Sequence, residues 1–215
     1  MVLIGLCGRS GSGKSTVAGF WKSFGVNLID ADRVCHYVYS ENALCVEELC
    51  GRFGNDVAAF GSILRPVLAK RAYSTEGGIE ALNRIAHKYI LEEIENRLKR
   101  AEEDGVPFTV IDAPLLFESG LDKRCDIVTA VISSDIAQIS RLEKRDGKSA
   151  AELKERLSAQ LSEAELLKRC QCLVLNNGSL AQLRRRAYLA LFYIQLKLKC
   201  LHKGEKGRFY VKKQL

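Results

Sequence analysis

The chain has 215 residues, 47% hydrophobic and 27% charged, with three prolines and no low-complexity run. That composition excludes a disordered or fibrous chain and leaves room for one core, or one core with a smaller lobe folded onto it. Most of the formal net charge of +7 comes from the seven Lys or Arg, against one Glu, between Lys197 and Leu215. The charge of so nearly neutral a body does not argue for nucleic acid; the basic end could touch it, and a solvated, frayed terminus is the plainer account.

No apolar run reaches the length of a membrane span, and the apolar start leads straight into a structured motif, so a soluble cytoplasmic protein with no membrane partner is expected. Eight cysteines are scattered without a C-x-x-C pair. They read as reduced, partly buried thiols instead of zinc ligands or disulfides.

Val2 to Cys7 is apolar and β-prone and predicts a buried strand ending at Gly8. A helix follows from Lys14 to Phe24, then a short strand over Val26 to Asp30. "NALCVEELCGRFG" has helical spacing and stops at Gly51 or Gly54, and Gly78 to Ala101 is the longest helical pattern. "FTVIDAP" (Phe108 to Pro114) and "DIVTAVIS" (Asp126 to Ser133) predict two more strands. A charge-dense stretch from Ser140 to Arg169 holds two helical patterns around "DGKS". "CLVLNNG" predicts a last strand, and Leu180 to Lys199 a closing helix. This alternation predicts an α/β fold with a parallel sheet flanked by helices. The helical block between the second and third strands predicts a separate lobe.

Gly8 to Ser15 reads G-x-x-x-x-G-K-S between a strand and a helix, the context a phosphate-binding loop requires. Its glycines let backbone N–H groups turn inward, and the helix N-terminus adds positive charge. In such a loop Lys14 bridges the β- and γ-phosphates of ATP and the Ser15 hydroxyl faces Mg²⁺. Asp112, closing "FTVID", stands where such proteins keep a metal-side acid; the alternative is an Asp capping a turn before Pro114.

No N/T-K-x-D or D-x-x-G signature of a GTPase is present, and the chain is short for a translocating ATPase. A small-molecule kinase fits, and it needs an acceptor base and cations for the moving phosphoryl group. Asp32 in "IDADRV" is the candidate base with Asp30 the alternative; a helix N-cap is the competing role. Arg141 and Arg145, at i and i+4, and Arg156 are candidate cations, against the plainer reading of a solvated charged face.

Several segments together resemble the dephospho-CoA kinases: "GSGKSTVA", "VNLIDADRV", "FGNDV", "LNRIAHKYI", "VIDAPLLFESGL", "RLEKRDGKSAAELKERLSAQ" and "LNNGS", in that order to about Ser179. The resemblance implies transfer of the ATP γ-phosphoryl group to the ribose 3′-hydroxyl of dephospho-CoA, with Mg²⁺. It implies a P-loop nucleotide core (about 1–40, 106–135 and 170–200), a helical CoA lobe (about 41–105), a small lid (about 136–169) and a basic tail (201–215). A monomer or weak homo-oligomer with no nucleic-acid partner is expected. Gly11, Ser12, Gly13, Lys14, Ser15 and Thr16 would bind ATP, and Asp32 would be the base. Arg84 and His87 would line the acceptor side, Ser15 and Asp112 would serve the metal, and Arg141 would close from the lid.

The chain departs from the family pattern in three places. Cys7, Gly8, Arg9 and Ser10 replace a threonine, a glycine pair and an apolar residue, so Arg9 either adds a cation to the phosphates or swings into solvent. The usual His-Pro is His87-Lys88, and Cys172 and Leu175 replace acids before "NNG".

Overall fold

The computed structural model describes residues 1–202, with side chains to residue 198; the basic stretch 203–215 lies outside the described residues. In chain order the elements begin β1 (Val2–Cys7), α1 (Lys14–Ser23), β2 (Asn27–Asp30), α2 (Ala31–Glu41) and α3 (Ala43–Phe53). A small hairpin, β3 (Ala58–Ala59) and β4 (Ser62–Ile63), leads to α4 (Arg65–Ser74) and α5 (Gly78–Glu103). Then come β5 (Phe108–Asp112), β6 (Ile127–Ile132), α6 (Asp135–Asp146), α7 (Ala150–Ser158), α8 (Glu163–Arg169), β7 (Cys172–Leu175) and α9 (Leu180–His202).

Five strands form one parallel sheet in the order β2-β5-β1-β6-β7. Its strands are near-continuous apolar runs because helices cover both faces. Successive residues still divide by face. Leu3 and Cys7 of β1 and Val128, Ala130 and Ile132 of β6 face a core shared with α2, α3, α5 and α8. Ile4, Leu6, Ile127 and Val131 face a second core built with α1 and α9. Trp21 of α1 is fully buried there, its indole N–H donating to the Ala187 carbonyl at 2.8 Å.

The lobe made by α2 to α5 has no core of its own: Leu49, Phe53, Leu68, Ile85 and Ile94 join the first sheet face in one cluster. Two of its elements, α2 and α4, and the hairpin go beyond the sequence reading. Helix α5 runs unbroken for 26 residues. Lys88, standing where the family has proline, keeps the backbone N–H that a mid-helix proline would remove.

The charge-dense stretch forms three helices instead of two. Ser134 caps α6, and Ser149–Glu152 and Ser162–Glu165 form capping boxes on α7 and α8. Leu142, Leu153 and Leu157 make a small separate cluster joining α6 to α7. No helix among the described residues is long and apolar enough to cross a membrane.

Because that cluster stands apart from the two sheet cores, Leu153→Ala should act locally. A cost of about 2–5 kcal/mol is expected for a buried leucine. It should appear in hydrogen exchange as faster opening of α6 and α7, with β1, β5 and β6 keeping their protection.

Candidate active site

The ends of β1, β2, β5, β6 and β7 all face one edge of the sheet, where ligands of open parallel sheets bind. β1 feeds the loop Gly8 to Gly13, which opens α1. Gly11 and Gly13 take positive φ (75° and 95°), a conformation side chains disfavour. A Cβ on Gly13 would also collide with the Asn176 side-chain amide, and one on Gly11 would lie 2.8 Å from the Gln138 carbonyl.

Two donors from outside the loop hold its carbonyls. Arg141, on α6, donates to the Gly11 carbonyl at 3.0 Å, and Asn176, just after β7, donates to the Ser12 carbonyl at 2.8 Å. A trans peptide directs its N–H opposite to its C=O. Fixing the Ser12 carbonyl therefore aims the Gly13 N–H away from Asn176. No acceptor among the described residues pairs with the N–H of Gly13, Lys14 or Ser15. Those are donors an anion at a helix N-terminus would take.

Lys14 and Asp112 form an ion pair, with Asp112 only 5% exposed. Parallel pairing puts Asp112 in register with Asp30. Burial pushes the Asp112 carboxyl above the usual range; Lys14 pulls it down, and the negative charges of Asp30 and Asp32 add to the rise. Three carboxylates thus share one end of the sheet with one lysine. The cap role left open for Asp32 falls to Asp30, whose carboxylate accepts from the Arg33 N–H at 3.1 Å. Asp32, in the first turn of α2, makes no hydrogen bond or ion pair among the described residues.

The lid's cations are already engaged. Arg141 spends its guanidinium on the Gly11 carbonyl, the Asn176 carbonyl (2.9 Å) and the Ser133 hydroxyl (3.3 Å), bracing the loop from the side. Arg145 and Arg156 both pair with Asp146. Arg9 does neither thing expected of it. Its guanidinium binds Asp135 at 2.7 Å and the Leu157 carbonyl at 3.0 Å, tying the loop to α6 and α7. Ser10 extends the tie, its N–H and hydroxyl meeting the two ends of the Gln160 amide at 2.9 and 2.8 Å. A cavity of about 630 Å³ opens beside Arg9; its lining contains none of Lys14, Asp32 or Asp112, so it is separate from the phosphate cradle.

Arg84 and His87, expected to line an acceptor, stand three residues apart on α5. That spacing puts them on one face of the helix. Helix α5 packs against α2, which carries Asp32. Next to His87, Lys88 donates to Glu48 of α3 at 2.8 Å, as does the Tyr89 hydroxyl at 2.7 Å. Asn176 and Gln160 lie in quoted segments but are given no role in the sequence reading. A signal for Asn176 was available: an amide closing an apolar strand is buried, here 6% exposed, and must find partners.

Comparison with known proteins identifies the fold and the family. The dephospho-CoA kinase family model matches residues 2–182. The dephospho-CoA kinase of Corynebacterium glutamicum is 36% identical over 188 residues, covering 87% of this chain and 94% of its own. That of Moorella thermoacetica is 38% identical over 188 residues, covering 86% of this chain and 88% of its own. The crystal structure of TT1252 from Thermus thermophilus superposes with a TM-score of 0.74 at 31% identity, over 92% of this chain and 97% of that one. Dephospho-CoA kinase from Campylobacter jejuni shares the fold, with a TM-score of 0.70 at 24% identity over 91% and 98% of the two chains. The chain is a P-loop enzyme and belongs to the dephospho-CoA kinase family.

Proposed function

We propose that this enzyme transfers the γ-phosphoryl group of ATP to the ribose 3′-hydroxyl of dephospho-CoA, giving CoA and ADP. The observation that carries this reading is the division of labour between two neighbouring aspartates. Asp30 is committed to capping α2, which leaves the Asp32 carboxylate free beside the phosphate loop to accept a proton from an acceptor hydroxyl. The loop N–H groups and Lys14 would hold the donor phosphates, with Gly11, Ser12 and Thr16 shaping the cradle. Lys14 would leave Asp112 for the phosphates. Arg84 and His87 would orient the acceptor.

The donor set suits Mg²⁺ brought in with the nucleotide. Ser15 and Asp112 offer hard oxygen ligands, and no group of three or more His, Cys, Asp or Glu among the described residues could cage a metal alone. Magnesium characteristically takes one or two protein oxygens and completes its shell with phosphates and water. Bound there, it would neutralise charge on the β- and γ-phosphates. Arg141 is better suited in this arrangement to holding the loop's shape than to reaching over it.

An ADP-release assay with purified chain, ATP, Mg²⁺ and dephospho-CoA should show turnover. Activity with AMP or uridine but none with dephospho-CoA would reject the proposed acceptor. Asp32→Asn should lower kcat by about 10²–10⁴-fold while ATP affinity stays nearly unchanged. A fully active variant would remove Asp32 from the role of base.

Arg141→Lys keeps the charge and loses the paired hold on two carbonyls. It should raise the KM for ATP about tenfold, an effect that Arg145→Lys should not reproduce.

A further inference from the structure

We propose that Cys7 and Cys170 are a hydroperoxide-sensitive thiol pair, whose disulfide ties the last lid helix to the base of the phosphate loop. Their sulfurs lie 3.5 Å apart although 163 residues separate them in sequence. A disulfide bond is about 2.05 Å long, so the sulfurs need to close by only about 1.5 Å.

The sheet creates this meeting. Cys7 is the last residue of β1 and lies in register with Ala130 of β6. Cys170 ends α8, its N–H donating to the Leu166 carbonyl at 2.9 Å, and Gln171 next to it donates to Val128 on the far side of β6. Cys7 and Ala130 belong to the same core cluster, and Cys170 packs against it. Only an alanine methyl stands on the strand between the two thiols, so they reach each other across it. Cys172 faces the opposite core and does not compete for Cys7.

The two thiols differ in a way that gives each a role. Cys170 is partly exposed, whereas Cys7 is 3% exposed. The contact with Cys7, aided by the charge of Arg169, lowers the pKa of Cys170 against the opposing effect of burial, while the same contact and burial raise that of Cys7. Elsewhere burial pushes the Cys45 and Cys125 thiols up to about 12 and Cys172 to about 11, which leaves them poor nucleophiles.

In the reaction, the Cys170 thiolate attacks one oxygen of the hydroperoxide. The O–O bond breaks and the other oxygen leaves as an alcohol or water, taking up a proton. The Cys170 sulfenic acid is then attacked by the Cys7 sulfur. The S–S bond forms, the S–O bond breaks, and the Cys7 proton departs with the hydroxyl as water. Two electrons pass from the thiol pair to the peroxide, and a thiol reductant returns them. The crosslink sits next to Gly8 at the mouth of the loop. It adds a covalent tie at the far end of α8 to the Arg9 and Ser10 contacts already joining loop and lid. Lid opening, and with it turnover, should slow.

The test treats the full chain with a small excess of hydrogen peroxide, blocks remaining thiols with iodoacetamide and maps peptides without reduction. A linkage between the peptides of Cys7 and Cys170 is expected, with a mass loss of about 2 Da relative to the two reduced peptides. Fragmentation separates Cys170 from Cys172, which share a tryptic peptide. If both thiols are alkylated after peroxide, if Cys170 ends as sulfinic acid, or if the link joins other cysteines, the pair is overturned. A second arm, which rests on the kinase reaction proposed above, follows turnover. It should fall about tenfold on oxidation and return with dithiothreitol, and Cys170→Ser should keep its activity under peroxide. Crosslinked enzyme turning over at the reduced rate would overturn the tie to the lid and leave the reaction itself untouched.

Discussion

The phosphate loop keeps its shape because Arg141 and Asn176 hold the carbonyls of Gly11 and Ser12 from outside. A loop with three glycines at positive φ has little conformational preference of its own, so external donors to its carbonyls hold it in one shape. The two donors come from opposite sides of the closing segment, one on the lid's first helix and one after the last strand. Formation of the anion site is thereby made conditional on β6, α6 and β7 being in place.

Electrostatics gives the site its other character. Strand register sets Asp30 beside Asp112, α2 brings Asp32 near them, Lys14 pairs with Asp112, and burial keeps Asp112 reluctant to ionise. Such an arrangement is a poor choice for stability, since desolvated like charges repel. It is a sensible one for receiving a polyanion with its cation, because under the proposed reaction a metal charge there would relieve the carboxylates and free Lys14 for the phosphates. The site therefore stores part of its affinity as unfavourable interactions that ligand binding removes.

Much of this was legible in the residues. The apolar strands, the loop and Asp112 follow from period and spacing, and the sheet order turns those spacings into a common edge. Helices α7 and α8 could have been read too: Ser149–Glu152 and Ser162–Glu165 are capping boxes in plain view, hidden only by the charge around them. Three things were not legible. Which of Asp30 and Asp32 caps α2 depends on where the strand ends, a matter of two residues. The fate of Arg9 depends on Asp135 and on a backbone carbonyl at Leu157, and no pattern in the sequence points to a carbonyl. Nor could spacing have joined Cys7 to Cys170, because their meeting is a product of strand order alone.

Helix α5 separates two mechanical regimes. It is an uninterrupted rod of 26 residues, about 39 Å long, whose buried face merges with the sheet's own core. Arg84 and His87 ride on this helix, which is anchored in that shared core. The lid is held together by three leucines and polar straps. Ordering entropy should accordingly be spent unevenly, with little needed to organise the acceptor's side and most of it paid when the donor's side closes. An acceptor would then meet a surface ready for it, while the donor must complete its own enclosure.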